Sequence, residues 1–478
     1  MRKVITVATN TLPTNTLSTN RVLLKSIGRR LLKIGGYTLA FVIPPLIVGA
    51  IMLMRAQAAL TAPAATPYSG PAAEMPVHDP AKPTVVVVAS NEGTEITDLL
   101  APYAVFTTAD AFNVYVVAPE RKFTPFMWGG VDIMPHYSFA EVEQLLGGKP
   151  DVIVIPFIKN PEDPAITQWI RDQAGPETLL VSICGGAHVL AATGLADDSM
   201  VTTHQSYFKV LAKEYPHLQL VRGVRYTDNG NIITSAGITA GIDASLYTIK
   251  KLLGQEVAQS VASRLNYPHA QFLTMPDYQW PPATASLFAS DANAALIWQR
   301  VQIGVPLFEG VDEIDLTAVL DTYGRTFTAN TITFAPGRKA IRSRHGLTLI
   351  PRADYASAPQ LDRLIIPGEQ TAAIAGLTEW AGTQGVEVEA LYPAGTTSAS
   401  RPFAFDVTLA DVAQWRSTSD AQSSARTLEY PAEHLQLAQK KWPIQRLAPT
   451  LLIGLLSLTG AIWLGNRLGK GRMVQAAA

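Results

Sequence analysis

The sequence predicts an α/β protein with parallel sheets, flanked by two apolar segments that are each long enough to span a membrane. Three observations lead to this prediction: short runs rich in Val and Ile that alternate with helical stretches, an internal repeat, and two uncharged stretches towards the ends of the chain. Such alternation is typical of parallel sheets covered by helices. With 478 residues, the chain has room for two or three domains.

Composition narrows the class of function. The chain has 38 Lys and Arg against 39 Asp and Glu, so no basic field indicates nucleic-acid binding. Hydrophobic residues make up 47% and charged residues 16%, which favours membrane segments and the lipid bilayer as a partner. Cys184 is the only cysteine and excludes an intramolecular disulfide. No phosphate-binding loop or local metal-ligand spacing occurs, so we predict neither a cofactor nor a metal.

The first apolar segment, Ile34–Met54, follows a basic segment, residues 1–33. Its 21 uncharged residues, at about 1.5 Å each, cover a hydrocarbon core of roughly 30 Å. A cleaved secretory signal is the alternative, because Ala56-Gln57-Ala58 resembles a cleavage site. The second segment, Leu447–Leu464, precedes a basic tail, residues 465–478, and its alternative is a buried core helix.

The charges around the first segment predict how the chain is oriented. Basic residues before the first span favour a cytosolic amino end, and two spans place both ends on one side. We therefore expect a protein of the plasma (inner) membrane whose domains are extracytoplasmic. Residues 55–83 are rich in Ala and Pro and predict an extended linker.

A first domain is predicted over residues 84–277, and a connection over 278–303. The strand-like runs are Val85–Ser90, Val114–Ala118, Asp151–Phe157, Leu179–Ile183 and Ile232–Ser235. The helical stretches are Ile96–Ala111, Phe139–Leu146, Pro164–Ala174 and Ala240–Leu253.

A second domain, residues 304–435, is predicted to be a degenerate copy of the first. The run E-G-T-E-I-T-D-L-L-A from Glu92 is echoed by E-G-V-D-E-I-D-L-T-A from Glu309, which places Asp98 on Asp315. A strand predicted over Val386–Leu391 is followed by Tyr392 and no cysteine. The copy therefore lacks the motif described next.

The stretch Thr178–Leu195 has the order of a nucleophile elbow: a buried strand, then Cys184, then Gly185 and Gly186, then a helix over Ala187–Ala192. Two glycines allow a sharp, strained turn. The amino end of a helix favours a thiolate at such a position. A buried structural cysteine at a strand end is the alternative.

Three stretches together resemble the ThiJ/PfpI family, a branch of the class I glutamine-amidotransferase-like superfamily. They are G-T-E-I-T-D-L-L-A-P from Gly93, S-I-C-G-G-A-H-V-L-A-A-T-G-L from Ser182 and T-T-H-Q from Thr202. The run T-S-A-G-I-T-A-G-I-D from Thr234 resembles the amidase-like domain in front of AraC-type regulators. No helix-turn-helix follows Leu265, so the DNA-binding domain of those regulators is not expected.

The resemblance implies a flavodoxin-like sandwich in which Asp98 lies beside Cys184. A protonated carboxyl that donates a hydrogen bond to a thiolate would lower the thiol pKa, and its own pKa would rise. An ordinary helix-capping acid is the alternative for Asp98. Glu95 and Glu92 are weaker candidates, for which solvated loop acids are the simpler interpretation.

Backbone amides and histidines complete the candidate site. The N–H groups of Gly185, Gly186 and Ala187 are candidates for stabilising negative charge. His204 occupies the T-T-H position, where it would either line a ligand pocket or hydrogen-bond a strand end. His188 is a weaker candidate, because it could instead face the helix that carries it.

Departures from the family limit the chemistry. Gly185 stands where the family's proteases carry a histidine, and no His-X-Glu pair follows, so a Cys-His-Glu triad is not supported. The scattered tryptophans, Trp128 among them, are predicted to pack in the core. Two hypotheses remain: a cysteine-dependent hydratase or hydrolase-like enzyme acting on a small electrophile, as in the family's isonitrile hydratases, or a non-catalytic ligand or redox sensor that signals to a membrane partner. The two copies are also expected to pack as an intramolecular pseudo-dimer.

Overall fold

A computed structural model describes residues 15–60, 75–128, 130–280, 288–369, 374, 376–397 and 399–475. The chain divides into two compact units, one formed by Met1–Met52 with Ile444–Ala478 and the other by Leu53–Pro443.

The elements of the N-terminal half alternate along the chain. Its helices are α1 (Asn15–Leu60), α2 (Ile96–Thr108), α3 (Phe139–Leu146), α4 (Pro164–Gln173), α5 (Gly186–Thr193), α6 (Phe208–Glu214), α7 (Ala240–Leu253) and α8 (Gln255–Arg264). Its strands are β1 (Thr84–Val88), β2 (Thr94–Glu95), β3 (Asn113–Ala118), β4 (Thr124–Met127), β5 (Val131–Met134), β6 (Tyr137–Ser138), β7 (Val152–Ile155), β8 (Leu179–Ser182), β9 (Met200–Val201), β10 (Gln219–Leu220), β11 (Tyr226–Asp228) and β12 (Ile232–Ser235).

The C-terminal half follows the same alternation. Its helices are α9 (Ala289–Leu296), α10 (Glu313–Arg325), α11 (Leu377–Gln384), α12 (Ala404–Trp415), α13 (Thr418–Thr427) and α14 (Ala448–Gln475). Its strands are β13 (Val301–Pro306), β14 (Ala329–Phe334), β15 (Ile341–Arg342), β16 (Thr348–Pro351), β17 (Arg363–Glu369) and β18 (Val388–Tyr392).

The main sheet of the N-terminal half has seven strands in the order β11-β12-β8-β7-β1-β3-β6. All neighbours are parallel except β11 and β12. Side chains of β1 alternate between two cores, with Val85 and Val87 in one and Val86 and Val88 in the other. A strand covered on both faces has to be apolar throughout, which explains its unbroken run of valines.

The sequence predictions for this half are confirmed at the level of elements. The predicted strands and helices are present, with bounds that differ by at most three residues. The α/β fold with a parallel sheet is therefore as expected.

The C-terminal half contains a four-stranded parallel sheet in the order β14-β13-β17-β18. The corresponding strands of the N-terminal half, β3-β1-β7-β8, follow one another in the same order. The strand predicted at 386–391 is β18, which ends on Tyr392. The connection is shorter than predicted, because β13 already begins at Val301; residues 281–287 within it lie outside the described part.

Helix packing and strand pairing both join the halves, in addition to side-chain contacts such as that of Glu95 with Arg325. Helix α2 packs against α10, where the Thr97 and Thr317 hydroxyl oxygens are 2.6 Å apart. A second sheet, in the order β15-β16-β5-β4-β2, pairs Met134 of β5 with Thr348 of β16. This mixed sheet was not predicted.

The terminal helices are longer than the predicted spans. Segments Ser26–Ala56 and Ile444–Arg467 are long and apolar enough to cross a membrane, although a signal sequence would meet the same criteria at the first. The apolar window of the second is only 6% buried, which excludes the buried core helix. Within their unit the two helices approach closely, since a Cβ on Gly454 would lie 2.9 Å from the carbonyl oxygen of Phe41.

The linker prediction needs correction at both ends. Helix α1 continues to Leu60, and residues 61–74 lie outside the described part. The end of the predicted linker is held against the first domain: the Tyr137 hydroxyl donates to the Pro76 carbonyl at 2.7 Å, and the Asp79 amide donates to the Asn113 side chain at 2.9 Å.

Candidate functional site

The elbow at Cys184 has the strained geometry that its sequence predicts. Cys184 lies between β8 and α5 with φ of +57°, a conformation that costs free energy in a residue other than glycine. A Cβ on Gly186 would lie 2.0 Å from the carbonyl oxygen of Ile155, and one on Gly185 would lie 2.6 Å from the ring of Phe157. Glycine is therefore required at both positions, and it holds the thiol at the end of the sheet.

The three candidate amides are not equivalent. The Gly186 amide donates to the Ile183 carbonyl at 2.7 Å, and the Ala187 amide donates to the Cys184 carbonyl at 3.4 Å, so both take part in the turn. The Gly185 amide donates a hydrogen bond to the Cys184 sulfur, and this hydrogen bond lowers the pKa of the thiol. Gly185 is thus the better placed of the three to stabilise charge at sulfur.

Asp98 is fully buried in the first turn of α2, next to this elbow. Its Oδ2 accepts a hydrogen bond from the Phe157 amide at 3.1 Å, whereas its buried Oδ1 has no hydrogen-bond partner among the described residues. Burial raises the pKa of Asp98 to about 8, against the lowering effect of the Phe157 amide. At neutral pH a carboxyl with this pKa is mostly protonated, and the cause is burial rather than the predicted hydrogen bond to a thiolate.

The predicted thiolate is wrong for the resting site. Burial raises the pKa of the Cys184 thiol well above its ordinary value, and the carboxyls of Asp98, Glu95 and Glu429 raise it further. Within the described part of the chain, no hydrogen bond joins the thiol to Asp98. Two protonated groups therefore lie close together, because desolvation outweighs the effect of the helix terminus.

Glu95 is a buried cap and ion-pair partner, which corrects its interpretation as a solvated acid. Its Oε2 accepts from the Asp98 amide at 2.6 Å, and its Oε1 lies 2.6 Å from Arg325 of the C-terminal half. Arg325 also pairs with Asp321 at 2.6 Å and lies under the ring of Trp128, 4.1 Å from its centroid. Glu92, in contrast, is exposed as expected.

A cavity of about 690 Å³ opens in front of Cys184, between the two halves. The N-terminal half contributes the aromatic rings of Phe157 and Tyr207, and the C-terminal half contributes Arg325 and Phe327. Sequence reasoning missed these residues because nothing in a single helix or loop indicates which distant element will face it. Trp128, predicted to pack in the core, packs against the main core cluster and also lines this cavity.

His204 combines the two roles that the sequence left open. It lines the cavity, and its Nε2 lies 2.9 Å from the Thr427 carbonyl while its Nδ1 accepts from the Ser206 amide at 3.3 Å. Burial lowers the pKa of His204, so the ring is neutral. With both nitrogens engaged, the ring is better suited to fixing the cavity wall than to acting as a base.

His188 lies outside the cavity, although it is only four residues beyond Cys184. Its ring faces Tyr215, with 5.5 Å between ring centroids, and its Nε2 points towards Glu162 and Glu214. The weaker candidate thus lies on a side of α5 that does not line the cavity, whereas Cys184, just before α5, does.

The C-terminal half contains a buried acidic cluster at the start of α10, where no thiol is present among the described residues. Asp312 caps α10, and Asp315 lies in its first turn, as Asp98 does in α2. The Tyr392 hydroxyl donates to Oδ1 of Asp315 at 2.7 Å, and Arg401 donates to Oδ2 at 3.0 Å. Burial raises the pKa of Asp315 to about 7. Both oxygens of this carboxyl have partners, unlike those of Asp98.

Comparison with known proteins places these observations in a family. The DJ-1/PfpI family profile matches residues 84–251. The chain is 32% identical over 182 residues to an isonitrile hydratase of Pseudomonas putida, which covers 36% of this chain and 74% of that protein. It is 35% identical over 106 residues to a Parkinson disease protein 7 homolog of Danio rerio (22% and 54%), and 35% identical over 101 residues to the HTH-type transcriptional regulator CdhR of Pseudomonas aeruginosa (21% and 30%).

Solved structures give similar matches. Drosophila melanogaster DJ-1beta aligns over 38% of this chain and 96% of its own length, at 24% identity and a TM-score of 0.34. A THiJ/PfpI family protein from Pseudomonas syringae aligns over 47% and 86%, at 23% identity and a TM-score of 0.36. On the sequence match to the Pseudomonas putida protein and the profile match, the chain belongs to the DJ-1/PfpI family.

Proposed function

We propose that the Cys184 cavity is the active site of a cysteine-dependent hydratase or hydrolase-like enzyme that acts on a small electrophile. The observation that supports this most is the buried Asp98 carboxyl close to a thiol that lines the cavity: its Oδ1 has no partner among the described residues, and burial raises its pKa to about 8. A buried acid that keeps its proton at neutral pH is suited to general acid catalysis.

Hydration of an isonitrile illustrates the chemistry, and a member of the family carries that activity in its name. The Cys184 thiol adds to the terminal carbon: its S–H bond breaks, and S–C and C–H bonds form at that carbon. Asp98 gives its proton to the carbon and takes the proton of the thiol. Water then adds to the thioimidate, the C–S bond breaks, an N-substituted formamide leaves, and the thiol regains its proton.

The test is turnover of an alkyl isonitrile by the full chain in detergent, with the formamide measured by chromatography. We expect Cys184→Ser to abolish product formation and Tyr392→Phe, at the corresponding position of the C-terminal half, to retain it. Equal turnover by wild type and Cys184→Ser, or none by wild type, would contradict the enzymatic proposal.

A ligand or redox sensor is the second candidate. It is favoured by the cavity's position, because Thr427 and Arg325 of the C-terminal half line it beside Cys184, so a ligand or an oxidised sulfur would alter contacts between the halves. Intact mass after mild peroxide treatment tests it. Addition of oxygen to wild type but not to Cys184→Ser supports a sensor, and an unmodified wild type counts against it.

The architecture that we propose for either function is a tandem of family domains packed as an intramolecular pseudo-dimer. It is supported by the matching strand orders β3-β1-β7-β8 and β14-β13-β17-β18 and by the packing of α2 on α10. The tandem predicts a monomer in light scattering of the detergent-solubilised chain. A stable dimer would argue that this contact does not replace association between chains.

We further propose that both apolar helices anchor the chain in the plasma membrane, with the domains outside the cytosol. Their length and composition support this, together with the basic residues before the first. Alkaline phosphatase inserted after residue 435 should be active, and the protein should resist alkaline extraction from membranes. An inactive insertion would mean that the domains lie in the cytosol and would contradict the proposed orientation.

A further inference from the structure

Three segments of the N-terminal half bring together a histidine and two glutamates outside the Cys184 cavity. Glu162 lies in the loop between β7 and α4, His188 in the first turn of α5, and Glu214 at the end of α6. The Nε2 atom of His188 lies 3.5 Å from Oε2 of Glu214 and 3.8 Å from Oε1 of Glu162, and the three potential ligand atoms are all within 4.8 Å of one another.

These distances are longer than ordinary hydrogen bonds, lie within ion-pair range, and match the spacing between ligands of a shared metal ion. Hydrogen bonds between nitrogen and oxygen are about 2.7–3.2 Å long. Around a tetrahedral ion with bonds of about 2.0–2.2 Å, neighbouring ligand atoms lie roughly 3.4 Å apart. His217 shows the ordinary alternative nearby, because its Nε2 lies 2.9 Å from Asp197 in a direct pair.

The buried nitrogen of His188 is an independent observation that indicates a ligand. His188 is 8% exposed, and its Nε2 is buried without a hydrogen-bond partner among the described residues. A buried polar atom without a partner costs about 1–3 kcal/mol, so native structures rarely leave one unsatisfied. The atom points between two carboxylates whose side chains are 65% and 45% exposed, so an ion can approach the cluster from solvent along the carboxylates.

We propose that Glu162, His188 and Glu214 form a binding site for a divalent transition metal ion, with Zn²⁺ as the best match. One imidazole and two carboxylates without sulfur are a ligand set that Zn²⁺ accepts, and solvent completes the fourth position. The Tyr215 hydroxyl donates to Oε1 of Glu162 at 3.1 Å and orients that carboxylate, as groups behind metal ligands commonly do.

A metal ion at this site would stabilise one wall of the Cys184 cavity, although the site itself lies outside the cavity. Glu162 lies five residues after Phe157 in one loop, and Glu214 ends the helix that follows Tyr207. The rings of Phe157 and Tyr207 pack together, 5.0 Å apart, and both line the cavity. A metal ion that links these segments to α5 would therefore hold both rings in place. No local motif signals the site, because its ligands are 26 residues apart in sequence and meet only in the fold.

The test uses the full chain in detergent, stripped with a chelator and titrated with Zn²⁺ by calorimetry and with Co²⁺ by visible absorption. We expect one ion per chain, a raised melting temperature, and at least about tenfold weaker binding in His188→Ala and Glu214→Gln. His217→Ala is the matched control and should bind like wild type. Glu214 is half-exposed, so Glu214→Gln remains informative if His188→Ala does not fold.

Two results would overturn the proposal. One is a wild type that binds neither ion. The other is equal affinity of wild type and Glu214→Gln, which would place the ion elsewhere on the chain. Both readouts are independent of turnover at Cys184, so the metal site and the proposed enzymatic function can fail separately.

Discussion

Each half of the protein places a buried carboxylic acid in the first turn of a helix, Asp98 in α2 and Asp315 in α10, and the two acids have different surroundings. Oδ1 of Asp98 has no partner among the described residues, whereas Asp315 accepts from both Tyr392 and Arg401. Where the N-terminal half has Cys184, the C-terminal half has the phenol of Tyr392. The same type of position therefore has different hydrogen bonding in the two halves, and under the proposed function only the acid with an unpartnered oxygen beside a thiol takes part in catalysis.

The largest expected effect comes from replacing the acid of the N-terminal half, with the acid of the C-terminal half as the matched control. Asp98→Asn should lower isonitrile turnover by about 10²–10⁴-fold, because the amide cannot transfer a proton. Asp315→Asn should change turnover by less than about twofold. The measurement is kcat/KM for both variants, with melting temperatures to show that both are folded; equal losses would remove the distinction between the halves.

The ion pairs near the two acids should contribute different amounts to the free energy of unfolding. Arg325→Ala leaves Glu95 and Asp321 buried without their cation and should cost about 3–5 kcal/mol. Arg401→Ala should cost less, about 1–2 kcal/mol, because Arg344 still pairs with Asp312. Urea denaturation of the two variants gives both values. A larger cost for Arg401→Ala would mean that the C-terminal site carries more of the stability than its contacts indicate.

Glycine-to-alanine substitutions compare the turn after Cys184 with the turn after Tyr392. Gly186→Ala brings a Cβ to 2.0 Å from a carbonyl oxygen and should cost about 3 kcal/mol or more. Gly395, after Tyr392, has φ of +81° and open space around it, so Gly395→Ala should cost roughly 1–2 kcal/mol from backbone strain alone. Denaturation midpoints of the two alanine variants test this order. Equal costs would show that the Cys184 turn is not the tighter one.

The smallest expected effect is a pH dependence of stability. The pKa of Asp98 is raised from 3.8 to about 8 on folding, so the folded state binds more protons than the unfolded state between these values. Its contribution is present at low pH and is lost as pH rises towards 8, with a slope of at most about 1.4 kcal/mol per pH unit. Asp98→Asn should flatten the decline between pH 6 and 8 relative to wild type. An unchanged slope would mean that Asp98 is ionised in the folded protein.

The sequence predicted what local patterns determine. Valine runs and the glycines after Cys184 place β1 and the elbow within a few residues. The mixed sheet was missed because its strands are short, and Pro125 within β4 argues against a strand.

Properties of the site that depend on burial and distant charge were beyond the sequence. The thiol pKa was predicted with the wrong sign, because full burial and the Glu429 carboxyl, which is 245 residues further along the chain, outweigh the helix terminus. Arg325 was missed for the same reason. The local sequence predicts that Arg325 lies on a helix. That Arg325 pairs with Glu95 depends on the packing of α10 against α2, which the local sequence does not reveal.

The most direct test of the account is the pH dependence of alkylation at Cys184, which is free of interference because the chain has one cysteine. The central claim is that thiol and acid both hold their protons at neutral pH. Iodoacetamide should therefore react more slowly than with a free thiol at pH 7, and the rate should rise only above the ordinary thiol pKa of about 8.5. A fast rate that is already constant between pH 6 and 7 would reveal a thiolate and contradict the claim.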